Sequence, residues 1–257
     1  MKIKRYAALL TAATLILSPL ATFAEDAQPE SIAKLWTFIP KSGDEVGFMK
    51  AFAEHVQWRR DNKDPWHWNV YVQVDGPEVG AYYARSENHS WADFDAYDAS
   101  PFEAKASEHW NKTVAPHLDA IHSSITKWLP KISNWPEDAP NYNLFQLQAM
   151  QLKPGQMVAY TQAVGAVAEA LKTAKWPYHW GFDEMVSGGA EPSVTLVLPS
   201  MKWADMAEPT PNFFDTLVSG LGEEKAAKLM ADINATVAST SVTIVRHLPD
   251  LEVPAAK

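Results

Sequence analysis

The chain contains no cysteine. That absence excludes disulfides, thiolate nucleophiles, Cys-ligated zinc and a lipid-modified amino-terminal cysteine. Long apolar runs are scarce as well. The run AALLTAATLIL at 7–17 falls short of the roughly 20 apolar residues that a membrane span needs, and Thr11, Thr14 and Ser18 dilute it further. Positive charge is in deficit: 22 Lys and Arg stand against 31 Asp and Glu, a net charge of −9. An acidic surface disfavours nucleic acid and anionic lipid as partners. No phosphate-binding glycine loop, zinc motif or G-x-S-x-G elbow is present. The sequence therefore names no reaction.

What is there begins with an export pattern. Lys2, Lys4 and Arg5 precede the apolar run, Pro19 breaks it, and Thr22-Phe23-Ala24 offers small residues before Glu25. Residues 1–24 read as a cleaved signal peptide, without a membrane anchor, and the short Lys-rich start reads as bacterial. The expected location is periplasmic or secreted. Without disulfides, the exported chain must hold itself together by its core.

The second feature is a repeat. Pro65, His67 and Trp68 recur as Pro177, His179 and Trp180, and Trp91-Ala92-Asp93 recurs as Trp203-Ala204-Asp205, all at an offset of 112. Lys41 and Gly43 match Lys153 and Gly155, and Phe102 matches Phe214. Two gapless clusters of rare residues in one register mark an internal duplication.

Each half repeats the same signals. KLWTFI (34–39) and NLFQLQAM (143–150) alternate as strands do. Ser42-Gly43-Asp44-Glu45 has the spacing of a capping box, before an apolar stripe of Val46, Met49, Phe52 and Val56. Met157, Tyr160, Val164, Val167 and Leu171 form the matching helix. Strands follow at 66–74 and 178–186, then at 79–86 and 192–199. The Trp-Ala-Asp segments start a second helical region, broken by Pro116 in the first half. A last strand lies near 124–129 and 240–248. The order β-α-β-β-α-β, twice, predicts an α+β protein of two tandem ferredoxin-like repeats. The expected division is 25–133, a linker at 134–141 rich in Pro, 142–250, and a tail at 251–257.

Two such units in one chain resemble the dimeric α+β barrel superfamily. It includes antibiotic-biosynthesis monooxygenases, haem-degrading monooxygenases, chlorite dismutase-like proteins and NIPSNAP-type proteins. The resemblance covers nearly the whole chain after residue 24 and lies in the order of elements, not in a residue motif. It implies a fused barrel in which two sheets enclose a ligand cavity. It admits haem, held by a histidine, without saying which one. A shared fold does not carry function, so no catalytic residue is carried over.

Strand alternation supplies the candidate site. Trp66, Trp68, Val70, Val72 and Val74 share one face, as do Tyr178, Trp180 and Phe182; these faces need the helices to bury them. His67 and Tyr71, with Tyr83 and Arg85 on the returning strand, then face the space between the sheets, as do His179 and Asp183. These six residues are the expected ligand-binding groups; no metal site is expected. The bland alternative makes His67 and His179 structural, each donating to a backbone carbonyl, and duplication favours it. His109, His117 and His122 read as a solvated helix face, and His55, His89 and His247 as isolated. Three functions stay open: a binder of a small apolar or aromatic molecule, a cofactor-free oxygenase or isomerase or haem-dependent relative, and a filled barrel working through its surface. A fused pair either satisfies the need to dimerise or pairs again.

Overall fold

Alternating and 3.6-residue apolar patterns become strands and helices in the expected order. The computed structural model describes residues 30–254. The proposed signal peptide and residues 255–257 lie outside them. The first half runs β1 (Ile32–Pro40), α1 (Glu45–Asp61), β2 (Asn69–Asp75), β3 (Tyr82–His89), α2 (Trp91–Asp98), α3 (Pro101–Thr113) and β4 (Leu118–Trp128). The second runs β5 (Leu144–Leu152), α4 (Met157–Thr173), β6 (Gly181–Ser187), β7 (Ser193–Ser200), α5 (Phe213–Leu221), α6 (Glu223–Thr236) and β8 (Val237–His247). Matching elements have matching lengths: 17 residues for α1 and α4, 7 for β2 and β6, and 11 for β4 and β8.

The strands close into one barrel in the order β1-β3-β2-β8-β5-β7-β6-β4. Within each half the order is that of a ferredoxin-like unit, and the halves join through the antiparallel pairs β2–β8 and β4–β6. Closure leaves no sheet edge free for further pairing. Successive antiparallel pairings give β2 and β6 the same direction. His67 and His179, each two residues before its strand, therefore sit at the same mouth of the barrel.

Helices cover the outer face of each sheet. Phe38, Phe48, Phe52, Val56, Trp68 and Val70 form the first core, and Leu152, Tyr160, Val164, Leu171, Trp180 and Phe182 form the second. Each such side chain stabilises the fold by about 1.5–3 kcal/mol when fully buried. The expected α1 stripe holds at Phe52 and Val56 and fails at Val46, which is 85% exposed; Phe48, Ala51 and His55 complete the buried face. The expected capping box does not form either. Asp44 is the cap and makes no side-chain cap bond; its carboxylate instead takes His117 Nδ1 at 2.7 Å.

A capping box does form at Ser90 and Asp93, starting α2 at Trp91. Its repeat at Trp203 gives only a 3-10 turn, Trp203–Met206. Pro209 and Pro211 follow and cannot continue a helix. The strands predicted at 66–74 and 178–186 begin at Asn69 and Gly181. Before them, Trp68 and Trp180 make single bridges, to Val253 and Asn134.

Candidate functional site

The alternation places the two faces as the sequence implied. Trp68 and Val70 are buried beneath the helices at 2% and 0% exposure. Asn69, Tyr71 and Gln73 of β2 point into the barrel, opposite Arg85 and Tyr83 of β3. The Tyr83 hydroxyl donates to Gln73 Oε1 at 2.6 Å, and burial pushes its pKa up to about 12.

Arg85 is the centre of the polar interior. Its Nε donates to Glu87 Oε2 at 2.8 Å, Nη1 to Thr126 Oγ1 at 3.2 Å, and Nη2 to Asp183 Oδ1 at 3.0 Å. The last bond crosses from the first half to the second. Burial alone would lower the Arg85 pKa and raise that of Glu87. Asp183 and Glu87 outweigh it at Arg85, and Arg85 outweighs it at Glu87, so Arg85 is raised, Glu87 is lowered, and both stay charged. Tyr71 lies beside this group; burial, reinforced by Glu87, raises its pKa, so it stays a neutral phenol. Its ring meets Phe145 edge-on at 5.4 Å and His247 at 5.2 Å.

Above Arg85 the barrel mouth opens into a recess of about 460 Å³, lined by His67, Asn69, Glu87, His89, Glu252 and Val253, among others. His67 Nε2 accepts from the Glu87 backbone N–H at 3.4 Å. His89 stacks on Trp66 at 4.0 Å and shares a 2.7 Å hydrogen bond with Ser86. Burial, then the neighbouring His67, lowers the His89 pKa, which keeps its ring neutral at pH 7. Glu252 reaches His247 Nε2 at 2.7 Å.

The pseudo-symmetric position in the second half is filled. Gly181 replaces Asn69, Pro199 replaces Glu87, and Trp135 replaces Pro254 in the matching strands and tail. A Cβ on Gly181 would lie 2.5 Å from Trp128 Cη2, so glycine is what admits that ring. Trp135 of the linker and Tyr142 just after it pack with Phe145 over the mouth. The Tyr142 hydroxyl bonds His179 Nδ1 at 2.6 Å. One recess is open and polar; its twin is closed by aromatics.

The six predicted residues therefore do not form one site. Arg85 and Asp183 are bonded, Tyr71 lies beside them, and Tyr83 pairs with Gln73. His67 lines the open recess, while His179 belongs to the closed one. Neither histidine donates to a strand carbonyl as the structural alternative expected, and neither bonds Tyr71, Tyr83, Arg85 or Asp183. Sequence reasoning missed Glu87, His89, His247 and Glu252. Glu87 was available by extending the alternation of Tyr83 and Arg85 by two residues; His89 was not, because a bulge at Glu87–Asn88, with Asn88 at φ 63°, puts it on the same side as Ser86 and Trp66. The other two depend on the β2–β8 junction, which joins distant segments.

The remaining histidines also differ from expectation. His122 lies on β4 and His117 in a 3-10 turn, not on a helix face. His109 Nδ1 meets the wholly buried His55 Nδ1 at 2.9 Å. Arg59 Nε donates to His55 Nε2 at 2.9 Å, and its Nη1 binds Asp64 and the Tyr97 hydroxyl. Asp64 Oδ1 in turn accepts from Trp66 N–H at 2.9 Å, which fixes the turn carrying Trp66 and His67. Among the described residues, no group of three or more His, Asp and Glu side chains is placed to hold a metal ion.

No protein-family model matches the sequence, and no curated protein matches it. Solved structures do match in fold. A candidate monooxygenase from Lactobacillus acidophilus NCFM is 8% identical with a TM-score of 0.55, over 88% of this chain and 97% of that one. An anthrone oxidase-like protein is 10% identical with a TM-score of 0.53, over 86% and 92%. A chlorite dismutase from Candidatus Nitrospira defluvii, solved in complex with imidazole, is 9% identical with a TM-score of 0.51, over 86% and 92%. The fold is a dimeric α+β barrel, built here from two repeats in one chain.

Proposed function

We propose that the chain is an exported protein that binds a small molecule in the open recess of its first half. The observation that carries this reading is the asymmetry of the repeat. The same mouth position is stoppered by Trp128, Trp135 and Tyr142 in one copy and left open over charged and imidazole groups in the other. A fold that only needed a filled barrel would gain from closing both. His, Asn and Glu side chains set polar groups into a wall whose exposed surface is otherwise largely apolar. Concave sites with a few convergent polar groups are the usual form of small-molecule sites.

The recess is a poor match for haem. Glu87 and Glu252 would repel the propionates of a porphyrin. The reading therefore needs no cofactor, and a neutral His89 beside the ionised Glu87 gives the recess a pair of proton acceptors should a bound molecule react.

Histidine-ring NMR tests the proposal. On titration with small aromatic fragments, the His67 and His89 signals should move together while those of His179 and His122 stay fixed. Pro254→Trp, at an exposed position of the recess wall, should abolish the response. Movement of His179 or His122 in place of His67 and His89 would overturn it.

A further inference from the structure

We infer that the molecule taken by the open recess is an organic cation, an amine or a protonated heteroaromatic base. This inference rests on the recess reading above and specifies its ligand. The wall carries two carboxylates, Glu87 and Glu252, and no Lys or Arg. The one guanidinium behind it, Arg85, is shared between Glu87 and Asp183 and so does not neutralise both. Arg60 lies near the tail but donates to the main-chain carbonyls of Asp250 and Glu252, and it is not part of the wall. His89 adds no positive charge at neutral pH because burial disfavours its protonation. The recess thus holds more negative than positive charge, and Glu87, at 36% exposure, is screened less than a carboxylate on an open surface.

The oxygens left over are suitably placed. Glu87 Oε2 is held by Arg85, whereas Oε1 has only the long 3.5 Å contact from Asn69 Nδ2. Glu252 Oε1 is on His247, which leaves Oε2 free for an incoming donor. Each carboxylate therefore keeps one oxygen able to accept a charge-assisted hydrogen bond. The His67 ring, 6.0 Å from that of His89 and 28° from parallel, offers a flat face to the ring of an aromatic amine, while His89 is stacked on Trp66. An anion would meet two carboxylates with no cation in the wall to answer it.

The test compares three molecules of one shape and different charge: benzylamine, benzyl alcohol and benzoate. Binding is measured by calorimetry, with the His67 and His89 ring signals locating it. Benzylamine should bind at least about tenfold more tightly than the alcohol, and benzoate should not bind. Glu252→Gln, at the exposed tail, should lower benzylamine affinity about fivefold while leaving the alcohol unchanged, and Glu87→Gln should act in the same direction. If the alcohol or benzoate binds as well as the amine and moves His67 and His89, the charge inference is overturned and the recess reading stands. If none of the three moves those signals up to its solubility limit, both fall.

Discussion

Replacing Arg85 with Met removes the only guanidinium among the inward-facing carboxylates and keeps most of the side-chain volume. The side chains of Arg85 and Asp183 are 17% and 7% exposed, so the variant leaves Asp183 buried without its partner. Breaking a buried pair on one side costs about 3–5 kcal/mol. Glu87, at 36% exposure, is partly rehydrated, which favours the low end. At about 3 kcal/mol, a chain of this size should melt about 6–12 °C lower. Urea unfolding of Arg85→Met, and of Arg85→Met with Asp183→Asn, reads the effect; the double variant should recover part of the loss because the stranded charge is gone. The acid limb gives a second readout. Glu87 has a folded pKa below its ordinary 4.5, so its contribution is complete above pH 4.5 and is lost as pH falls through the folded value. Arg85→Met should flatten that part of the profile. A loss below about 1 kcal/mol with an unchanged acid limb would show that the pair is solvated, as surface pairs are, and would refute the account of the interior.

Further outcomes follow from other contacts. Gly181→Ala should lose about 1–3 kcal/mol in urea unfolding, because the Trp128 ring must move away from the new Cβ. His55, whose pKa burial and the Arg59 charge lower from 6.5 to about 3, binds its proton more readily when unfolded. Stability is therefore complete above pH 6.5 and falls toward pH 3 with a slope of up to about 1.4 kcal/mol per pH unit; His55→Val should remove that slope. Trp135→Ala should unstop the second mouth, so that imidazole titration moves the His179 signal in the variant and not in the parent chain.

The architecture was legible because duplication writes each signal twice. Trp68 and Trp180 head the apolar faces, and the period of two puts Tyr71, Arg85 and Asp183 on the opposite side, until bulges near Asp75 and Asn88 break it. The site was only partly legible. Glu87 continues the Tyr83–Arg85 alternation, so its side was available from sequence, whereas the bulge before His89 turns that ring toward Ser86 and Trp66. Which copy stays open was not legible, because it depends on Trp135 of the linker and Tyr142 beyond it packing over Phe145 and on Gly181 making room for Trp128. Glu252 and His247 reach Tyr71 only through the β2–β8 junction. The buried set of His55, Arg59 and Asp64 was hidden for another reason: the matching positions in the second half are Val167, Leu171 and Trp176, so the repeat pointed to an apolar stripe.

The central claim is that one mouth of this barrel is a binding recess and its pseudo-symmetric twin is not. Crystals soaked with a library of small amines and neutral aromatics test it most directly. The account predicts density clustered beside His67, Glu87 and Glu252, with none beneath Trp135 next to His179. Density that favours the His179 side, or that avoids both recesses for the opposite end of the barrel, would contradict it.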